Sequence, residues 1–180
     1  LTASTIAGAT GYTWSGPNSF SSTLQNPTIS NVTTAASGTY SVSATVTGCT
    51  GAAGTVSITV NPTPASPTAG SNTPVCSGQT LSLTANTVAG STYNWNGPNS
   101  FSSSSQNPTI ANVTTAASGT YTVTRSSAAG CVSTNATTSV TINQTPNAPT
   151  ASSNSPVCTG STISLTASNT GTTYSWTGPN

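Results

Sequence analysis

The segment TIANVTTAASGTYTV, residues 109–123, returns almost letter for letter as TISNVTTAASGTYSV at residues 28–42. In each copy, hydrophobic and polar residues alternate on both sides of a turn of small residues, a pattern that predicts two short β-strands. The repetition extends further, because residues 16–40 and 97–121 differ at only three of 25 positions. The chain therefore encodes the same pair of strands twice.

Other landmarks return with the same period. Tryptophans recur after 81 residues and cysteines after 82, at Trp14, Trp95, Trp176, at Cys49, Cys131, and at Cys76, Cys158. A fixed period of this length indicates tandem copies of one small domain. We predict repeats of about 82 residues: a partial repeat at 1–61 that lacks its first strand, a complete repeat at 62–143, and a partial repeat at 144–180 with only the first strands.

Within the complete repeat, turn residues bound seven short alternating segments. We place strands near residues 68–75, 80–85, 92–96, 101–105, 109–113, 119–126 and 136–143. Seven strands in about 80 residues, without a helical period, predict an all-β fold of the β-sandwich type. Its core is predicted from one face of these strands: Leu81, Leu83, Trp95, Phe101, Ile110, Val113, Tyr121, Val123, Val140 and Ile142.

The charge composition limits the function. Asp, Glu, His and Lys are absent, and Arg125 is the one charged side chain. Acid–base catalysis needs a group that titrates near the working pH, and a serine nucleophile needs a base, so the composition argues against an enzyme. The same absence leaves no metal site and no cofactor site to assign. A net charge of +1 disfavours nucleic acid, and no apolar run is long enough to insert into a membrane.

One segment resembles a known signature. Ile110 and Val113, followed by Gly119 and Tyr121, are similar to the passage from strand E to strand F in immunoglobulin-superfamily domains, and Trp95 to their strand C tryptophan. The resemblance implies an immunoglobulin-like sandwich with a tyrosine corner.

In such a corner the tyrosine hydroxyl binds a nearby backbone group. We therefore expect the Tyr121 hydroxyl to bond the backbone near residues 115–118, and Tyr40 to do the same in the first repeat. Val123 and Leu83 stand where the family often has core cysteines, so we expect hydrocarbon packing there instead of a disulfide.

The motifs PVCSGQTLSLTA, YNWNGPNSF and SGTYTV, with a late GC, together resemble the immunoglobulin-like or PKD-like tandem repeats of very large secreted adhesins of the Bacteroidota, including gliding-motility adhesins. The resemblance covers all 180 residues. It implies an extracellular location at the cell surface.

Two cysteines per repeat indicate structural disulfides in an oxidising compartment. Cys76 and Cys131 are the pair within one repeat, although the predicted strands place them at opposite ends, and a disulfide needs Cα atoms within about 7 Å. The alternative is a staple between repeats, in which Cys131 bonds a cysteine upstream of residue 1 and Cys76 bonds one beyond residue 180. Cys49 and Cys158 are the equivalent candidates, and both schemes stay open.

Three functions compete. The first is a structural and adhesive module of a long stalk or filament, in which stiff linkers such as NPTPASPT join neighbouring repeats. Its further expected partners are like filaments and surface polysaccharide. The second is a carbohydrate-binding module that uses exposed aromatic residues, for which Phe20, Phe101 and Tyr93 are the candidates.

The third function follows from the ends of the chain. Leu1 falls inside a predicted second strand, and Asn180 falls just after a predicted third strand. Either the chain is part of a longer array, or pilin-like subunits complete one another by strand exchange.

Overall fold

The computed structural model describes residues 1–168 and 173–179. The chain divides into two compact units. Unit 1 combines Leu1–Ser66 with Arg125–Thr134, and unit 2 combines Pro67–Thr124 with Asn135–Asn180. Residues 169–172 and Asn180, which belong to the predicted third repeat, lie outside the described residues. The repeat boundaries at residues 61 and 143 stay a prediction.

Unit 2 contains two facing sheets and smaller pairs of strands. Its strands are β6 (Ala69–Ser71), β7 (Val75–Cys76), β8 (Leu81–Ala85), β9 (Thr92–Gly97), β10 (Phe101–Ser103), β11 (Thr109–Ile110), β12 (Gly119–Ser126, which ends in unit 1), β13 (Ala136–Val140), β14 (Ile142–Asn143), β15 (Thr150–Ser153) and β16 (Leu165–Ser168). The sheet orders are β10-β9-β12-β13 and β11-β8-β6, β14 pairs with β7 in parallel, and β15 pairs with β16. This order is that of an immunoglobulin-like sandwich, as predicted.

The core of unit 2 lies between these sheets. Alternate residues of β8 and β12 point inward, so that Leu81, Leu83, Tyr121 and Val123 are buried. The other buried hydrophobic residues are Ala85, Tyr93, Trp95, Val113, Ala117, Val140 and Ile142. Phe101 and Ile110, which were predicted as core, are only partly buried and pack against its edge.

Unit 1 contains one regular sheet. Its strands are β1 (Ala9–Gly16), β2 (Phe20–Ser22), β3 (Gly38–Val46), β4 (Cys49–Thr50) and β5 (Gly54–Ile58). β1 pairs with β2 and β3, and β3 also pairs with β4 and β5. A 3₁₀ turn at Thr34–Ala36 precedes β3, as the turn at Thr115–Ala117 precedes β12 in unit 2.

Both units contain the predicted tyrosine corner. The Tyr121 hydroxyl donates a buried hydrogen bond of 3.0 Å to the carbonyl of Ala117. In unit 1, the Tyr40 hydroxyl donates to the carbonyl of Ala36 at 2.9 Å. The bond ties the strand to the 3₁₀ turn before it, and the expectation drawn from the sequence is confirmed.

Two glycines make room for this corner. A side chain at Gly97 would collide with the ring of Tyr121, which lies directly on that backbone. Gly119 has φ +142°, and a Cβ there would come within 2.8 Å of Pro98 Cγ. An L-residue side chain is therefore excluded at Gly119 on two grounds, conformation and space. The repeated letters GPN and SGTY thus encode one packed cluster.

A second repeated motif, QNP, holds the end of strand β8 through side chains. Gln106 Nε2 donates to the carbonyl of Ala85 and to Thr87 Oγ1, at 2.7 Å each. The amide of Ala85 donates to Asn107 Oδ1 at 3.0 Å, and Trp95 Nε1 donates to the carbonyl of Gln106 at 3.1 Å. These bonds replace a strand ladder where β11 has ended.

Gln25 and Asn26 repeat the arrangement in unit 1. Gln25 Nε2 donates to the carbonyl of Ala3 at 3.0 Å, and the Ala3 amide donates to Asn26 Oδ1 at 3.1 Å.

The strand predictions were wrong in detail at both edges of the sandwich. The predicted first strand, 68–75, is two strands, because Pro74 has no N–H to continue a ladder, and the Asn72 side chain bonds the backbone of Thr80 and Ser82 instead. The predicted last strand, 136–143, breaks at Thr141, whose amide donates to Thr73 Oγ1. The predicted strands 101–105 and 109–113 end early, at Ser103 and Ile110.

We expect Tyr121→Phe to lower the free energy of unfolding by about 1–3 kcal/mol, because a buried carbonyl loses its donor. The substitution keeps the ring, so the packing is unchanged. Urea unfolding followed by tryptophan fluorescence measures the effect. Tyr12→Phe is the matched control, since its hydroxyl donates an exposed bond of 3.3 Å to the carbonyl of Ser4. Equal losses for the two variants would show that burial of the Tyr121 bond has no special importance.

Candidate functional site

Phe20 and Phe101, predicted as exposed contacts, are half-buried. The ring of Phe101 meets the ring of Tyr121 edge to face, with centroids 5.5 Å apart. Phe20 meets Tyr40 in the same way, also at 5.5 Å. One side of each phenylalanine therefore supports the tyrosine corner, and only the other side is available to a ligand.

Tyr93 is not an exposed contact, and this part of the prediction was wrong. Its side chain is 7% exposed and belongs to the core of unit 2. Its hydroxyl donates to the carbonyl of Asn86 at 2.7 Å and accepts from the amide of Val88 at 3.1 Å. The alternation of β9 places Tyr93 on the same inner face as Trp95, which explains its burial.

The four cysteines lie outside the cores and carry free thiols. Cys49 begins β4, Cys76 ends β7, and Cys158 follows β15. Cys131 lies between β12 and β13, in the part of that connection that groups with unit 1. There its sulfur is 3.9 Å from the carbonyl oxygen of Asn61. The pairing of these cysteines stays a prediction.

Unit 1 has an uncovered hydrophobic side, which we call the open face. A cavity of about 200 Å³ is lined there by Leu1, Ile29, Val32, Ala36, Tyr40, Ile58 and Val60. Val32 is 48% exposed, whereas Val113, the equivalent residue of unit 2, is 3% exposed. Sequence reasoning predicted a missing first strand here but did not identify the face as a binding site.

A second cavity of about 350 Å³ adjoins β1 and β3. Its lining includes Ile6, Tyr12, Trp14, Val42 and Val56. Both cavities are formed by hydrophobic and neutral polar side chains, so they suit an uncharged occupant.

Two further features were searched for over residues 1–168 and 173–179. Within those ranges, no helix is long and apolar enough to cross a membrane. Within the same ranges, no group of three or more His, Cys, Asp or Glu side chains is close enough to hold a metal ion.

The strand order and these sites invite comparison with known families. Residues 64–146 match the family model described as Ig-like domain CHU_C associated. The matched stretch spans β6 to β14, and therefore both sheets of the sandwich in unit 2. Strand order and family match together establish the Ig-like fold of that stretch. None of the proteins of curated function matches the chain.

Solved structures with similarity to the chain include two from animals. Murine CEACAM1b is 14% identical, with a TM-score of 0.43, over 78% of this chain and 88% of that chain. The amphioxus IgVJ-C2 molecule is 18% identical, with a TM-score of 0.36, over 78% of this chain and 94% of that chain.

We expect Phe101→Ala to lower the free energy of unfolding by about 2 kcal/mol, because the ring packs on Tyr121 although it is only half-buried. Urea unfolding at neutral pH measures this loss. The exposed neighbour Ser102→Ala is the control and should change stability by less than about 0.5 kcal/mol. An unchanged stability of Phe101→Ala would instead favour a ring that serves only external contacts.

We expect the stability of unit 2 to be constant between pH 5 and 8 and to fall above pH about 10. The first expectation follows from the absence of Asp, Glu, His and Lys. The second follows because burial raises the pKa of the Tyr121 hydroxyl above its ordinary value of 10.0. The unfolded chain then loses this proton at a lower pH than the folded chain, so its stabilisation is present below pH 10 and is lost as pH rises.

Urea unfolding across this pH range is the measurement, with Tyr121→Phe as the control. That variant should lose less stability above pH about 10, since it has no hydroxyl to ionise at this position. A fall of more than about 1 kcal/mol between pH 5 and 8 would contradict the first expectation.

Proposed function

We propose that the chain is a structural and adhesive module in the stalk or filament of a long extracellular repeat protein, where it serves surface adhesion or gliding motility. In this role it is not an enzyme. Its primary partners are neighbouring repeats, and like filaments and surface polysaccharide are secondary ones. Nucleic acid and the membrane interior are not partners.

The observation that carries this proposal is that the repeated residues form framework contacts. The corner bonds of Tyr40 and Tyr121 differ by only 0.1 Å, and Gln25 and Gln106 hold equivalent strands in the two units. Duplication of a framework adds length, whereas duplication of a catalytic or ligand site would repeat exposed polar groups around a pocket. A module that is repeated for its framework suits a stalk.

The composition supports the same role. With Arg125 as the one charged side chain, two such surfaces neither repel nor attract each other strongly over a distance. Contacts must then come from hydroxyl and amide groups and from hydrophobic packing, which salt hardly screens. This suits adhesion in media of varying ionic strength.

The carbohydrate-binding alternative loses support from the structure. A sugar platform needs aromatic rings that are free on one whole face. Tyr93 lies in the core, and the rings of Phe20 and Phe101 are engaged with tyrosines. The stalk is therefore favoured over a dedicated sugar site.

Antibody Fab fragments against the chain test this role on cells that make the protein. We expect the Fab fragments to label intact cells and to reduce their attachment to glass, at low salt and at 0.5 M salt alike, because few charges are involved. Non-immune Fab fragments are the control. Labelling that requires permeabilised cells would contradict the extracellular location. Surface labelling without loss of attachment or movement would contradict the adhesive role.

A further inference from the structure

The residues that close the sandwich of unit 2 have no counterpart on the open face of unit 1. In unit 2, Val113 is covered by the turn after β7, because its amide donates to the carbonyl of Gln79 at 3.0 Å and its carbonyl accepts from Gly78 at 2.8 Å. Val32 is the equivalent residue of unit 1, and its side chain is largely exposed. The open face is therefore a receptor whose complement can be recognised from unit 2.

The complement in unit 2 is residues 67–82, which contain β6, β7 and the turn between β7 and β8. β7 pairs in parallel with β14, in the register Val75 to Ile142 and Cys76 to Asn143. The amide of Ser77 also donates to the carbonyl of Asn143 at 2.8 Å. Backbone bonds fix this segment along the edge, and Val75 packs against the core.

Residues 149–167, which we call the donor segment, repeat residues 67–85 in sequence and in shape. The two stretches differ only at Ser152, Ser155, Thr159, Ser161 and Ile163. β15 pairs with β16 in the register Ala151 to Ala167, as β6 pairs with β8 in the register Ala69 to Ala85. The Ser164 amide donates to Asn154 Oδ1 at 2.9 Å, as the Ser82 amide donates to Asn72 Oδ1 at 2.8 Å.

The donor segment differs from its equivalent in what covers it. Ile163 is 65% exposed, whereas Leu81 at the equivalent position is fully buried, and Val157 and Leu165 are exposed as well. The chain thus presents both a receptor without its complement and a preformed complement without a receptor. Neither carries a charged side chain, so docking them desolvates no ion.

We propose that the donor segment of one copy of the chain covers the open face of unit 1 in a second copy, and that Cys158 of the first copy then forms a disulfide with Cys131 of the second. This inference goes beyond the adhesive role and does not depend on it.

The register of the strands brings these two cysteines together. Asn61 is the equivalent of Asn143, so a docked donor segment places Cys158 beside Asn61, as Cys76 lies beside Asn143. Cys131 already has its sulfur 3.9 Å from the Asn61 carbonyl oxygen. Paired strands lie about 4.8 Å apart, which is within the range of Cα separations that a disulfide spans.

The covalent step is an exchange with a small disulfide such as oxidised glutathione. The thiolate of Cys158 attacks the glutathione disulfide, forms a mixed disulfide and releases one glutathione thiolate. The Cys131 thiolate then attacks the Cys158 sulfur and releases the second. One disulfide forms between the copies, one is reduced to two thiols, and the protons lost from the two cysteines pass to the glutathione thiolates and the solvent.

Docking requires one exchange of strands. β16 of the donor is equivalent to the first residues of unit 1, where the Leu1 amino group donates to the carbonyl of Pro27 at 3.0 Å. In unit 2 the amide of Leu83 makes the same bond to Pro108 at 2.9 Å. Leu165 and Ala167 repeat Leu1 and Ala3 in kind, so β16 can replace the first residues of unit 1 bond for bond.

The test uses two variants of the full chain in a Cys49→Ser, Cys76→Ser background. One carries Cys131→Ser in addition and keeps Cys158, and the other carries Cys158→Ser and keeps Cys131. Each is incubated with oxidised glutathione alone and as an equal mixture, then analysed by non-reducing electrophoresis and peptide mapping. We expect a disulfide-linked dimer in the mixture at ten-fold or greater excess over either variant alone, with Cys131 linked to Cys158.

A docking control separates recognition from random oxidation. Ile163→Asp in the variant that keeps Cys158 should reduce the dimer at least ten-fold, and its exposed position leaves the folding of the free chain unchanged, as circular dichroism can verify. Equal amounts of dimer in all three incubations, no dimer in the mixture, or full dimer yield with Ile163→Asp would each overturn the proposal. None of these results bears on the Fab experiment, so the adhesive role would stand or fall separately.

Discussion

The buried hydrogen bond from the Tyr121 hydroxyl to the Ala117 carbonyl is the contact on which the arrangement around it depends. It holds the 3₁₀ turn against the strand that follows, and an unpaired carbonyl there would be costly. The ring that carries the hydroxyl lies on Gly97 and meets Phe101 edge to face. One tyrosine therefore constrains residues from three strands, and unit 1 contains the same cluster around Tyr40.

A chain almost without charge must satisfy its buried and half-buried polar groups with neutral partners. Amide side chains do this at the strand ends, where Gln106 donates twice and Asn107 accepts from the backbone of Ala85. Such bonds are directional and are little affected by salt, whereas surface ion pairs contribute little and are screened. The framework thereby keeps its geometry without the charged residues on which most extracellular domains draw.

Local pattern predicted much of this molecule, and long-range contacts decided the remainder. The corner bonds and the burial of Trp95 and Leu83 follow from alternation and from the family signature. Tyr93 was ambiguous because a tyrosine suits both a core and a surface, and only its two backbone partners settle the matter. The break at Thr141 depends on Thr73, 68 residues away, which no local pattern reveals.

The two units show which part of the fold is local. Unit 1 keeps the corner and the Gln25 contacts although its open face is uncovered, because both arise within a few tens of residues. The cover that buries Val113 in unit 2 comes from residues that precede the shared framework in sequence. A framework that forms without its cover can accept an equivalent segment from elsewhere, and a segment already shaped as β15 and β16 loses little entropy on docking. The repeat design itself thus creates matching surfaces on separate copies.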